Sequence, residues 1–153
     1  MYRLKTARSQ QAAENEELLI GVYAGSPEVH TPAQDHEDAT AVTVLQQYQP
    51  AVLQQYSPRA VAGDGNCCYR YVSLALYGEQ RHHMYVRVMT AVELLKHRRY
   101  YDVHSKDYTG ALDVNDAVYV GDYNNLLDMV LTEGGYAELM HLYAISAAIG
   151  KRG

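Results

Sequence analysis

One stretch limits the possible folds more than any other. Gly63-Asp64-Gly65-Asn66 leads directly into Cys67 and an apolar pattern that Gly78 closes. Glycines beside Asp and Asn let the backbone visit positive φ cheaply, so several amide N–H groups can point into one concavity. The spacing predicts a helix from Cys67 to Tyr77 with Gly78 as its stop. Cys68, Val72, Ala75 and Leu76 share one face of that helix and are its expected buried stripe. A cysteine placed directly after such a turn feels the positive end of the helix dipole. That favours thiolate, which is the nucleophilic form. The same amides can receive the oxyanion of a tetrahedral intermediate, so turn, thiol and helix start together suit acyl transfer. A plainer reading stays open on the local pattern alone: Asp-Gly and Gly-Asn are common turn dipeptides, and cysteine is often simply buried.

The rest of the chain divides around this segment. Ser9 to Ile20 reads as an amphipathic helix, and residues 25 to 39 as a loop with Pro27, Pro32 and the acidic run Asp35-His36-Glu37-Asp38. Val44-Leu45-Gln46-Gln47-Tyr48-Gln49-Pro50 is echoed eight residues later by Val52-Leu53-Gln54-Gln55-Tyr56-Ser57-Pro58. Both copies end in Tyr-x-Pro, and the expected form is an extended connector. A second helix is predicted over Arg81 to Arg98, with Tyr85, Val88, Val92 and Leu95 as its apolar face. Its basic end, His97-Arg98-Arg99, complements the helix dipole. Ser105 to Gly110 is a predicted loop, Val118 to Gly121 a short extended piece, and Tyr123 to Leu131 a brief helix. Glu133-Gly134-Gly135 turns the chain into a last helix with a stripe of Tyr136, Leu139, Met140, Tyr143, Ala144 and Ala147. Residues 1–58 are thus read as an arm and connector, and 59–150 as the domain.

Composition excludes several functions. The chain has 153 residues, 48% apolar and 20% charged, which suits one folded domain. No apolar run approaches the roughly 20 residues of a membrane span, and no signal core follows Met1-Tyr2-Arg3-Leu4-Lys5. The two cysteines are adjacent, so no disulfide scaffold is expected, and a reducing interior, cytoplasmic or nuclear, is the expected setting. A net charge of −5 argues against nucleic acid as the partner. Cys67-Cys68 and His82-His83 lack the spacing of zinc ligands, and no phosphate-binding glycine loop is present, so neither metal nor cofactor is expected. With 15 tyrosines and no Phe or Trp, each buried aromatic must place a hydroxyl.

The run Gly63-Asp64-Gly65-Asn66-Cys67-Cys68-Tyr69-Arg70, continuing through Val72-Ser73, resembles the signature of the ovarian-tumour (OTU) family of cysteine proteases. Gly134-Gly135-Tyr136-Ala137-Glu138-Leu139, with Ala144, resembles that family's later Gly-aromatic-Gly segment and helix, although an aromatic followed by glycine would be usual there. The resemblance implies an α/β (α+β) papain-like fold, mostly helical in the part present, with the C-terminal sheet truncated. It makes Cys67 the nucleophile, places Asp64 and neighbouring amides at the oxyanion site, and gives Gly63, Gly65 and Asn66 the shaping of the loop. Cys68 falls on a variable position. It further implies hydrolysis of isopeptide or peptide bonds at the C-terminus of ubiquitin or a ubiquitin-like protein. The general base stays unassigned. Of His30, His36, His82, His83, His97, His104 and His141, only loop-borne His104 offers a substitute, and the others read as surface or helix-end residues. Two other functions fit the same residues: a catalytically inactive module that binds ubiquitin or another protein, and a remnant with no function.

Overall fold

The computed structural model describes residues 36–110 and 122–152; the helix expected at Ser9–Ile20 and the extended piece at Val118–Gly121 lie outside them. The described elements are α1 (Ala39–Tyr48), α2 (Cys67–Tyr77), α3 (His83–Lys96), α4 (Arg98–Tyr101), α5 (Tyr123–Leu131) and α6 (Leu139–Arg152). Two 3₁₀ turns, Pro50–Gln54 and Gln80–His82, join them. Among the described residues the only strand-like pairing is one antiparallel bridge, Glu37 to Arg59. The unit is mostly helical, as expected; the sheet of an α/β fold is not seen in it.

Helix α3 is the hub. Val86, Val88, Met89, Ala91, Val92 and Leu94 are buried on it, and α2, α5 and α6 all pack against it. A helix apolar on most sides belongs at a centre. The predicted single face was therefore too narrow: Val88 and Val92 are buried, while Tyr85 and Leu95 only flank the core. The expected Arg81–Arg98 helix is also broken, opening with the 3₁₀ turn and ending at His97, whose φ of −122° and ψ of 37° leave helical geometry.

Two predicted stripes are rotated. On α2, Ala75 and Leu76 are exposed, while Tyr69, Arg70 and Ser73 are buried beside half-buried Cys68 and Val72. On α6, Met140, His141, Ala144, Ile145 and Ala148 face inward and Leu139 and Tyr143 outward, and Tyr136, expected in the same stripe, is exposed ahead of the helix. The cause is the same in both. Polar side chains that find hydrogen bonds can be buried, and periodicity of apolar residues does not register them. Ser73 Oγ donates to the Glu79 carbonyl and accepts from the His82 N–H, and His141 is bonded through both ring nitrogens.

The repeat is not an extended connector. Its first copy is the end of α1, capped by Asp38 Oδ1 accepting the Ala41 N–H at 2.9 Å, and the 3₁₀ turn Pro50–Gln54 runs from the last residue of the first copy into the start of the second. Proline constrains only its immediate neighbour. Gln49 leaves the helix (φ −146°, ψ 62°), and Pro50 then opens the turn at a position where no N–H is needed. The buried tyrosines behave as composition requires in two cases: Tyr101 donates to Glu93 Oε1 (2.9 Å) and Tyr123 to the Leu94 carbonyl (2.8 Å). Tyr69 is buried with no hydroxyl partner among the described residues.

Candidate nucleophile loop

The segment entering the loop is fixed from below by Gln80, which donates from Nε2 to the Ala60 carbonyl (3.0 Å) and accepts the Ala62 N–H at Oε1 (3.3 Å). The chain then turns at Gly65, with φ +81°. Asp64 folds the turn: its Oδ1 accepts the Asn66 N–H at 3.1 Å, and its Oδ2 accepts from Asn66 Nδ2 at 3.2 Å. Arg70, one turn into α2, grips the same carboxylate through Nη2 at 2.7 Å and Nε at 3.2 Å. Partial burial pushes the Asp64 carboxyl up, but the Arg70 and Asn66 hydrogen bonds outweigh it and hold it well below the usual carboxylate range. Asp64 is an ionised acceptor committed to Arg70. An oxyanion needs donors, and on this loop those are backbone amides.

Asn66 is the pivot. Only 2% exposed, it sits immediately before α2 yet makes no side-chain cap to it. Its Oδ1 instead accepts from Arg87 Nη2 at 2.6 Å and from the Gly134 N–H at 3.1 Å. Arg87, from the middle of α3, also donates to the carbonyls of Met129 (2.9 Å), Val130 (3.2 Å), Thr132 (2.9 Å) and Gly135 (2.8 Å). It thereby satisfies carbonyls at the C-terminal end of α5, where helices leave acceptors unpaired and favour positive charge. Its guanidinium lies 4.1 Å from the centre of the Tyr69 ring. The thiol loop and the Gly134–Gly135 turn are pressed together so closely that a Cβ on Gly65 would lie 1.9 Å from the Gly134 oxygen.

This loop, with its thiol at the first helical position, lies within residues 58–152, which match the family model of the Vertnin OTU domain. The chain belongs to that family. No curated protein and no solved structure matches it. In this OTU domain both thiols are free and half-buried. Burial, reinforced by neighbouring Cys67, pushes the Cys68 thiol up, and Cys68 packs against the core. Gly63 is exposed and meets nothing nearby.

Among the described residues no hydrogen bond joins a histidine to the Cys67 sulfur. His104 is exposed on the loop after α4. His83, the first residue of α3, and His141, in the first turn of α6, are not surface residues; both are 0% exposed. His141 donates from Nε2 to the Leu126 carbonyl at 2.8 Å and accepts the Glu138 N–H at Nδ1 at 2.8 Å, a pattern only the neutral ring can make. It pins α6 to α5. His83 contacts the Gln80 carbonyl through Nδ1 at 3.2 Å, and burial, followed by the Arg70 charge, pushes its pKa down to about 4. The residue sequence reasoning missed is Arg87. Its one local signal is a lone charge inside the apolar run Tyr85-Val86-Arg87-Val88-Met89.

Proposed function

We propose that this OTU domain acts on the C-terminus of ubiquitin or a ubiquitin-like protein, with Cys67 as the reacting thiol. In this reading the described helices are the helical layer of an α/β papain-like domain, and the reducing interior of the cell keeps both thiols free. One observation carries it. Asn66, a residue type that caps helices well, stands before α2 with its side chain bonded to Arg87 and Gly134 and makes no cap hydrogen bond to the amides that follow Cys67. A cap is worth about 0.5–2 kcal/mol, and forgoing it supports a use for those amides as donors to a developing oxyanion. Cys67 would attack the terminal glycine carbonyl, and the amides of the helix start would hold the resulting charge.

A second reading, an OTU-like module that binds without turnover, is favoured by the lack of a histidine bonded to Cys67 among the described residues. One experiment addresses both. The chain is incubated with ubiquitin carrying a C-terminal propargylamide, and the adduct is mapped by mass spectrometry beside a di-ubiquitin cleavage assay. An adduct lost in Cys67→Ala and kept in Cys68→Ala is expected. Adduct with no detectable cleavage even on prolonged incubation selects the binding module, adduct with slow cleavage supports the first reading, and no adduct at all sinks the ubiquitin reading.

A further inference from the structure

Arg87 touches none of the atoms that would react, yet it holds the residue that precedes the thiol. Arg87 is 2% exposed, and among the described residues no carboxylate pairs with its guanidinium; its bonds go to four carbonyls and to Asn66 Oδ1. Asn66 in turn spends its Nδ2 on Asp64 and shares its Oδ1 between Arg87 and the Gly134 N–H. Its backbone, φ −94° and ψ 5°, lies outside the extended region that a capping residue adopts. Released from Arg87, an asparagine here regains its favoured geometry, with extended backbone and Oδ1 on the amide of Cys68 or Tyr69. Those are the second and third residues of α2, where a cap side chain bonds. An oxygen lodged there would compete with any anion formed at Cys67.

We propose that Arg87 is a positioning residue for Cys67, acting by withholding the Asn66 side chain from the start of α2 and so keeping the amides beside the thiol open. The proposal rests on the reading of Cys67 as a reacting thiol. It makes that reactivity depend on a guanidinium carried by another helix.

The test is Arg87→Lys, because an ammonium has three donors on one atom and cannot span five acceptors. Amide exchange by NMR and iodoacetamide alkylation near neutral pH are followed in the folded variant. The Cys68 or Tyr69 amide is expected to exchange several-fold more slowly than in the parent, while the rest of the domain exchanges faster. Cys67 alkylation slows roughly three- to tenfold, the worth of one hydrogen bond. Adding Asn66→Ala to Arg87→Lys removes the competing oxygen and restores the alkylation rate, although stability falls further. A merely structural Arg87 gives the opposite pattern: both amides exchange faster along with everything else, and the second substitution restores nothing. That result overturns the proposal. Should Arg87→Lys not fold, Asn66→Ser in the parent chain carries the same test. Serine is too short to reach Arg87 but caps well. Slower exchange at Tyr69 with slower Cys67 alkylation is expected, and unchanged or faster values refute the mechanism. Neither readout uses ubiquitin, so a missing ubiquitin adduct would bear on the substrate and not on this coupling.

Discussion

Gly65 and Gly78 form a matched pair for measuring how tightly the thiol loop is pressed on its neighbour. Both are left-handed, with φ of +81° and +74°. Replacing either by alanine incurs the same backbone penalty, about 1–2 kcal/mol, less about 0.4–1 kcal/mol from a stiffer unfolded chain. Their surroundings differ. A Cβ at Gly78 meets nothing within 4 Å, whereas one at Gly65 would sit 1.9 Å from the Gly134 oxygen and 2.6 Å from its carbonyl carbon. Both are backbone atoms and cannot swing aside, so loop and turn must part by roughly 1 Å or more to reach ordinary contact. That separation breaks or stretches the hydrogen bonds from Gly134 N–H to Asn66 Oδ1 (3.1 Å) and from Arg87 to the Gly135 carbonyl (2.8 Å). Each buried group left unsatisfied costs about 1–3 kcal/mol. Gly78→Ala should therefore cost about 1 kcal/mol, and Gly65→Ala about 3–7 kcal/mol. The second is a large share of the ~5–15 kcal/mol typical of a domain. Urea unfolding followed by circular dichroism at pH 7 reads both. Equal costs for the two variants would refute the close approach, and with it the rigid coupling of loop and turn.

Other outcomes follow from the same geometry. Limiting iodoacetamide near neutral pH should label Cys67 well ahead of Cys68, whose thiol burial pushes up, with the preference lost in denaturant; equal labelling in the folded chain would count against a poised Cys67. Acidification should destabilise the fold between pH 6.5 and 4. Above 6.5 His83 is neutral whether folded or not. Below it the unfolded chain takes up a proton that the folded one refuses until about 4, so stability falls across that window and then levels off. The full loss is about 3 kcal/mol, and buried His141, also pushed down by burial, adds in the same direction. A urea midpoint unchanged from pH 7 to pH 5 would contradict this. Turnover of di-ubiquitin by residues 1–153 should fall well short of the ~1–10³ s⁻¹ usual for enzymes, because no histidine is bonded to Cys67 among the described residues. Rates in that range would point to a base elsewhere, with His104→Ala the first variant to assay.

What could be read from the sequence was whatever local chemistry determines. Gly78 ends α2 in the left-handed conformation that only glycine adopts freely, and α5 spans Tyr123–Leu131, both as the residues predict. The loop's shape follows from Asp64 and Asn66, two residues apart. Its support does not. Asn66 is bonded to Gly134 across 68 residues, and Arg87 reaches the end of α5 and the following turn across 42 to 48. No periodicity carries such pairings. Apolar stripes also misplace faces whenever a polar residue is buried with its partners, as His141 is on α6 and Arg70 on α2. The trace such support does leave is a charge where the apolar pattern forbids one. Burying a guanidinium costs several kcal/mol unless its donors are met. An arginine inside Tyr85-Val86-Arg87-Val88-Met89 therefore implies a ring of acceptors brought from elsewhere in the chain. Here that ring consists of the end of one helix, a diglycine turn and the asparagine beside the thiol. The residue that most offends the hydrophobic pattern is the one that ties the candidate site to the fold.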